Sequence, residues 1–425
     1  MNSTAATSHA AHLDAQESRD PIAREADLMR RLPGLIASAQ RAAGLAEILR
    51  GVDANAIASR AALAQLPVTR KSDLKALQEA APPFGALTAT PVAGLARVFM
   101  SPGPIFDPEG RGHDWWRFAR PLWAVGLRRG QLVHNCFSYH FTPAAFMVEG
   151  GARKIGCPVI PAGTGNTEMQ LQAIAGLRPE IYAGTPSFLK IIVEKALEAG
   201  ADISSVKRAL VSAEALPPSL RAWLVEHGIG VVTQVYGTAD LGSIAYETQS
   251  DGEVHPGLVV DEDVLVEIVR PGTGDVVPDG EVGEVLVTNF NDDYPLIRFA
   301  TGDLSAVLAG ASPCGRTNLR IKGWMGRADQ TTKVRGMFVH PGQVAAIMRR
   351  HPEIVRARLV VEGAMGDDTM TLHCEVDDPA PGGDHAATIV ATIRDITKLR
   401  GDVRFVARGG LANDGKVIED ARSYE

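Results

Sequence analysis

Two stretches late in the chain set chemically capable residues at close spacing. YPLIRFATGDLS (294–305) ends an apolar run on Thr301, Gly302 and Asp303, and GWMGRADQTTKVRGMFVHPGQV (323–344) carries Arg327, Asp329 and Arg335 among glycines. A carboxylate held on a tight turn can accept both hydroxyls of a ribose, and guanidinium groups can fork onto a phosphate. Together they point to a nucleotide. Three earlier motifs end apolar runs in the same way: TPSF (185–188), SAEALP (212–217, with Ser212, Ala213 and Glu214) and YGTAD (236–240, with Tyr236, Gly237, Thr238 and Asp240). They offer backbone and side-chain contacts to a flat heterocycle and its phosphate. Near the chain end, Lys416 in DGKVIED could place a positive charge over a developing anion.

The elements that must position these residues follow from periodicity. From about residue 97 to 289, apolar runs at LVHNCF (132–137), PVIPA (158–162), IYAG (181–184), RALVSA (208–213) and VVTQVYG (231–237) alternate with helix-length windows. That alternation predicts parallel α/β layers with the ligand at the carboxyl ends of the strands. Residues 20 to 50 read as a helical cap, with Leu28, Leu32, Leu35 and Ile36 on one face. LVEIV, a PGTG turn and EVGEVLVTN predict an antiparallel β subdomain before Asn289. After residue 329 a helix from Pro341 that stops before Pro352, strands RARLVVEG and TMTLHCEV, a helix near 386–399 and a strand VRFVAR predict a small α+β domain. The expected organisation is a large N-terminal α/β domain of layered sheets plus a β subdomain (1–329, the first 16 residues disordered) and a small C-terminal α+β domain (330–425).

Composition bounds the partners. With 425 residues, 45% of them hydrophobic, the chain can bury a large core across two or three domains. A net charge of -7 without basic runs argues against nucleic-acid and anionic-membrane surfaces. Cys136, Cys157, Cys314 and Cys374 form no CxxC pair, so neither a disulfide framework nor a zinc ribbon is indicated. No signal-peptide pattern and no apolar window near ~18 residues is present, so a cytoplasmic protein with a small-molecule partner is expected.

In order and spacing the motifs resemble the adenylate-forming ligase (acyl-CoA synthetase) superfamily. Within it they resemble the phenylacetate-CoA ligase branch, on PPFG (82–85), HDWWRFARPLWAVGLRRG (113–130), GTGNTEMQ (163–170) and CGRT (314–317). The resemblance implies an AMP-forming acid:CoA ligase using ATP, Mg²⁺ and coenzyme A on an aromatic or arylacetic acid. Tyr236 would stack near the base, Asp303 would hold the ribose, Arg327 would contact nucleotide oxygens and Asp240 would help hold Mg²⁺. Asp329 would be the hinge of the small domain, and Lys416 would serve adenylation and then swing away. Tyr139, His140 and Phe141 lie where the family builds its acyl pocket, and a homodimer is common among such ligases.

Departures from the pattern are equally informative. The phosphate loop, typically SSGTTGKP, falls at SPGPIFDP (101–108), where Ser101, Gly103 and Pro108 remain, Pro102 and Pro104 remove backbone donors, and Asp107 replaces a lysine. Arg111 or Arg117 could compensate. Of a zinc set that some members build from three cysteines and a histidine, His255 and Cys314 remain while Thr248 and Ser312 replace cysteines. No zinc is therefore expected, since a structural site wants four ligands. Two other readings stay open: adenylation with an amine or carrier-protein thiol as acceptor, and a silent nucleotide- or acyl-AMP-binding homologue. Trp115 and Trp116 read as packing residues.

Overall fold

The computed structural model describes residues 11–425 except 326, 329, 331, 336, 340, 364–367, 379–383, 413–415 and 423–425. The chain divides into two compact units, Met1–Met325 and Gly326–Glu425. The sequence boundary was expected four residues later, and Asp329, the expected hinge, lies outside the described residues.

In the first unit an eight-stranded sheet carries the layered α/β pattern. Its parallel half runs Val231–Thr238, Arg208–Val211, Ile181–Gly184, Val133–Asn135 and Val159–Pro161 in spatial order, and Gly242–Tyr246, Leu258–Val260 and Arg320–Ile321 extend it antiparallel. Leu122, Val125, Val148 and Ala152, from helices Ala119–Val125 and Ala144–Ile155, pack on Val133, Ile181 and Leu210. The helix after TPSF shows why strand ends are well defined here. Thr185 caps the Phe188 amide, Pro186 opens helix Pro186–Ala199, and Gly200 ends it in the left-handed conformation.

A four-stranded sheet forms the β subdomain: Val264–Val269, Gly283–Asn289 and Phe299–Ser305 antiparallel, with Thr69–Arg70 added parallel to Phe299–Ser305. This last pairing, Thr69 opposite Phe299 and Arg70 opposite Ala300, delivers the next residue, Lys71, beside the strand that bears Asp303. Helix Pro21–Ala39 buries Leu28, Leu32, Leu35 and Ile36 as its periodicity predicts.

Residues 11 to 16, expected to be disordered, instead make specific contacts. Asp14 pairs with Arg120 at 3.0 Å, and the His12 ring lies 3.1 Å from the Cys314 carbonyl. The cause is Glu17, fully buried and accepting from the Tyr246 hydroxyl and the Arg316 guanidinium, both at 2.7 Å.

The second unit packs helices Pro341–Arg350 and His385–Thr397 with a sheet of order Asp402–Ala407, Thr369–Val376, Arg356–Glu362 and Ile418–Asp420. Among the described residues, no helix is long and apolar enough to cross a membrane.

Candidate active site

Two strands meet in the first unit. Tyr236 leaves the eight-stranded sheet and its hydroxyl reaches Thr301 Oγ1 and Asp303 Oδ2 of the four-stranded sheet, each at 3.1 Å. The other Asp303 oxygen accepts from Trp324 Nε1 at 3.1 Å. Asp303, read from sequence as the ribose ligand, is thus held by a phenol and an indole, and a vicinal diol could exchange with either donor. Trp324, in the GWMGR block 21 residues after Asp303, carries no spacing signal in the sequence, and its indole offers the one donor it has.

SAE and TPSF also come together: Ser187 Oγ donates to Glu214 at 2.6 Å, and Ser212 Oγ donates to the Val235 carbonyl at 2.8 Å. Ala213 sits between them at φ 69°, a left-handed conformation uncommon for alanine and enriched at functional sites. Gly237 has a packing reason, since a Cβ there would lie 2.5 Å from the Gly242 carbonyl oxygen. The Thr238 hydroxyl caps the turn by accepting from the Leu241 amide at 3.2 Å.

Sequence reasoning missed the strongest polar contact of the site. Lys71 Nζ lies 2.5 Å from Asp240 Oδ2, and Asp240 is 1% exposed. Burial works against the charge of Lys71, yet Asp240, and with it Asp107 and Asp303, hold its pKa above the ordinary lysine value. An isolated lysine in PVTRKSDL carries no motif, and only the parallel pairing of Thr69–Arg70 reveals its address.

The altered phosphate loop is a hairpin: Arg97–Ser101 and Ile105–Glu109 pair antiparallel, with Ser101 opposite Ile105 around the turn Pro102 to Pro104. Asp107 stands opposite Phe99 on the inner strand and is fully buried. Burial first, and then the Asp240 charge, push its carboxyl up to about 8. Of Arg111 and Arg117, the two candidates to compensate, Arg111 is exposed and Arg117 is engaged in the fold. Arg111 donates to the Gly94 carbonyl at 3.1 Å, and Arg117 donates to the carbonyls of Leu241 and Ser243 and faces Asp261 at 3.6 Å.

The 139–141 segment divides by residue. Tyr139 packs edge-on against Phe146 and accepts from Asn135 at 2.9 Å, while Phe141 is 57% exposed and its carbonyl accepts from Met100 at 2.9 Å. GNTE has a local structural role: Asn166 caps helix Thr167–Leu177, and buried Gln170 ties His134 at 2.6 Å to the carbonyls of Gly163 and Gly165.

The four vestigial zinc positions do meet. Thr248 Oγ1 lies 3.1 Å from His255 Nδ1 and Ser312 Oγ lies 3.1 Å from Cys314 Sγ. Burial raises the Cys314 pKa, but hydrogen bonds from Ser312, Thr248 and Arg316 outweigh it and hold the thiol below its ordinary value.

In the second unit, half-buried Arg327 accepts through its carbonyl from the Gln330 amide at 3.4 Å. Arg335, read as a phosphate ligand, has its amide on Asp368 Oδ2 and its Nε on the Asp368 carbonyl, both at 3.0 Å, which makes it a turn clamp. Lys416 is exposed, two residues before strand Ile418–Asp420.

An α/β architecture with a carboxylate, a phenol and a part-buried lysine brought together in this way suits a nucleotide ligand. Residues 119–291 match the family model described as AMP-binding enzyme. The phenylacetate-coenzyme A ligase of Thermus thermophilus is 32% identical over 343 residues, which cover 77% of this chain and 75% of that one. Its namesake from Aromatoleum evansii is 32% identical over 349 residues, 79% and 77% of the two chains. The chain belongs to the phenylacetate-coenzyme A ligase family of AMP-binding, AMP-forming acid-thiol ligases. The fold agrees with two solved structures. A 2-hydroxyisobutyryl-CoA ligase aligns with a TM-score of 0.79 at 23% identity over 96% of this chain and 92% of that one. The amide bond synthetase McbA from Marinactinospora thermotolerans aligns with a TM-score of 0.54 at 18% identity, 92% of each chain being covered.

Proposed function

We propose that this ligase activates an aromatic or arylacetic carboxylate with ATP and transfers the acyl group to coenzyme A. The observation that carries the reading is the convergence of Tyr236, Asp303 and Trp324 with the Lys71–Asp240 pair, in a chain of this family. In the first step a carboxylate oxygen attacks the α-phosphorus, and the bond to pyrophosphate breaks with its electron pair leaving on pyrophosphate. In the second, the thiol sulfur, having lost its proton, attacks the acyl carbon, and AMP leaves.

The first step brings two anions together, so the site must supply positive charge. Lys71 is part-buried beside the carboxylates and offers an ammonium whose charge Asp240 upholds. A magnesium ion would be held by Asp240, whose buried Oδ1 has no hydrogen-bond partner among the described residues, and would neutralise phosphate charge. Asp303 orients the nucleotide through the ribose, and Tyr236 and Trp324 keep both of its oxygens in place. Arg327 contacts nucleotide oxygens, Asp329 serves as hinge and Lys416 supplies a second positive charge for adenylation alone.

Incubation with ATP, Mg²⁺, coenzyme A and a panel of aromatic acids, read by mass spectrometry, should yield AMP and one or more acyl-CoA thioesters. AMP binding with no thioester from any aromatic acid would remove the reading. The Lys416→Ala variant should lose adenylation far more than thioester formation from a supplied acyl-adenylate, and equal loss of both would remove its assigned role.

A further inference from the structure

In the second unit, the chain around Lys416 is held from both sides. The buried Arg358 guanidinium donates to the Ala412 carbonyl at 3.0 Å and to Glu419 at 3.1 Å, so one group closes the loop between residues 412 and 419. Directly after the lysine, the Val417 carbonyl accepts from the Leu359 amide at 2.9 Å, which ties it to the sheet. The Val417 amide instead donates to Gln330 Oε1 at 2.7 Å, and the Ile418 amide reaches the same oxygen at 3.3 Å.

Gln330 is the residue after Asp329, the position read as the hinge. Its φ of 59° is left-handed, a conformation that costs a glutamine more than a glycine. Such a backbone persists where its surroundings over-determine it, and the side chain of Gln330 is anchored at two amides. Two residues on, the Thr332 hydroxyl donates to Asp420 at 2.8 Å and accepts from Arg422 at 3.0 Å. The chain that follows residue 329 and the chain that follows Lys416 are therefore joined side by side, first at Gln330 and then at Thr332.

We propose that Gln330 is the positioning residue for Lys416: its side-chain oxygen grips the two amides that follow the lysine and so fixes the place of the ammonium relative to the backbone at residue 329. The assignment rests on the ligase reading, in which Lys416 serves adenylation and Asp329 is the hinge. An exposed lysine on an untethered loop samples many positions, whereas stabilisation of a developing anion requires a charge already in place. With the Gln330 contact made, a turn of the backbone at 329 is passed to Lys416 without slack. Without it, the loop keeps the Arg358 closure and loses its tie to the hinge.

Amide hydrogen exchange on the full chain tests the contact without turnover. Gln330→Met keeps the length of the side chain and removes the acceptor, and Val417 and Ile418 should then exchange about tenfold faster or more. Gln330→Glu retains an acceptor and should keep both amides protected. Acid-dependent exchange of labelled pyrophosphate into ATP should fall about tenfold or more in Gln330→Met, since misplacing a reacting group by ~1 Å costs at least that much. Thioester formation from a supplied acyl-adenylate and the Tm should be retained, and Gln330→Glu should recover most of the lost rate. Unchanged amide exchange at Val417 and Ile418, equal loss of both half-reactions, or a Gln330→Glu variant as slow as Gln330→Met would overturn the proposal. Pyrophosphate exchange that is present in the unmodified protein and equal in Gln330→Met sinks this proposal and leaves the ligase reading standing, whereas its absence from the unmodified protein with every aromatic acid sinks both.

Discussion

Lys71 shows how a single residue can decide a site while saying nothing in sequence. Its neighbours in PVTRKSDL give no spacing to read, whereas its 2.5 Å contact with Asp240 depends on a strand pairing across more than two hundred residues. Lys71→Met should lower kcat for acid-dependent AMP formation by about a hundredfold or more, the scale of losing one charged group at a developing anion. The binding of AMP should change far less, and comparable loss of both would reduce Lys71 to a structural role. Asp303 and Tyr236 were legible because turn chemistry marks strand ends, but their mutual hydrogen bond and the Trp324 donor were not, being tertiary contacts. Thr248, His255, Ser312 and Cys314 were readable as a depleted zinc set, and the fold does bring them together. Replacing Thr248→Cys and Ser312→Cys together should therefore create a four-ligand zinc site, seen as one zinc per chain by elemental analysis and a raised Tm. Failure to retain zinc would contradict the geometry.

At the scale of elements, periodicity carried most of the information. The parallel strands, the β subdomain and the C-terminal helices all lie within a few residues of where apolar runs and turn signals set them. The loop at 101–108 was legible as altered but not as a hairpin, because Pro and Gly announce a turn without announcing which strands it joins. Residues 11–16 differ from expectation for a related reason: small polar residues look disordered unless a buried anchor is known. That anchor is Glu17, held at 2.7 Å by both Tyr246 and Arg316. Glu17→Ala leaves the Arg316 guanidinium buried without its partner and should cost about 3 to 5 kcal/mol, measured by chemical denaturation. A loss below 1 kcal/mol would mean the segment is not anchored as described.

For the molecule as a whole, stability should carry the mark of buried carboxylates. Asp261 is fully buried, and burial pushes its carboxyl up to about 7 against the opposing charges of Arg117 and Arg120, with Asp263 adding to the rise. A carboxyl whose folded pKa lies above its unfolded value stabilises the fold at low pH, and that contribution is lost as pH rises from about 4 towards 7. The Tm of Asp261→Asn relative to the parent should therefore be more favourable at pH 8 than at pH 5, and the opposite trend would place the Arg117 pairing above the burial cost. Composition and charge argued against nucleic-acid and anionic-membrane surfaces, and the family places ATP, coenzyme A and a carboxylic acid as partners. The acid itself is set by side chains from several strands, which no single motif records. Exchange of labelled pyrophosphate into ATP, with Mg²⁺ and an aromatic acid but without coenzyme A, isolates the adenylation on which everything else depends. Exchange that requires both the acid and Lys71 is the expected result, and tight AMP binding with no exchange for any aromatic acid would contradict it.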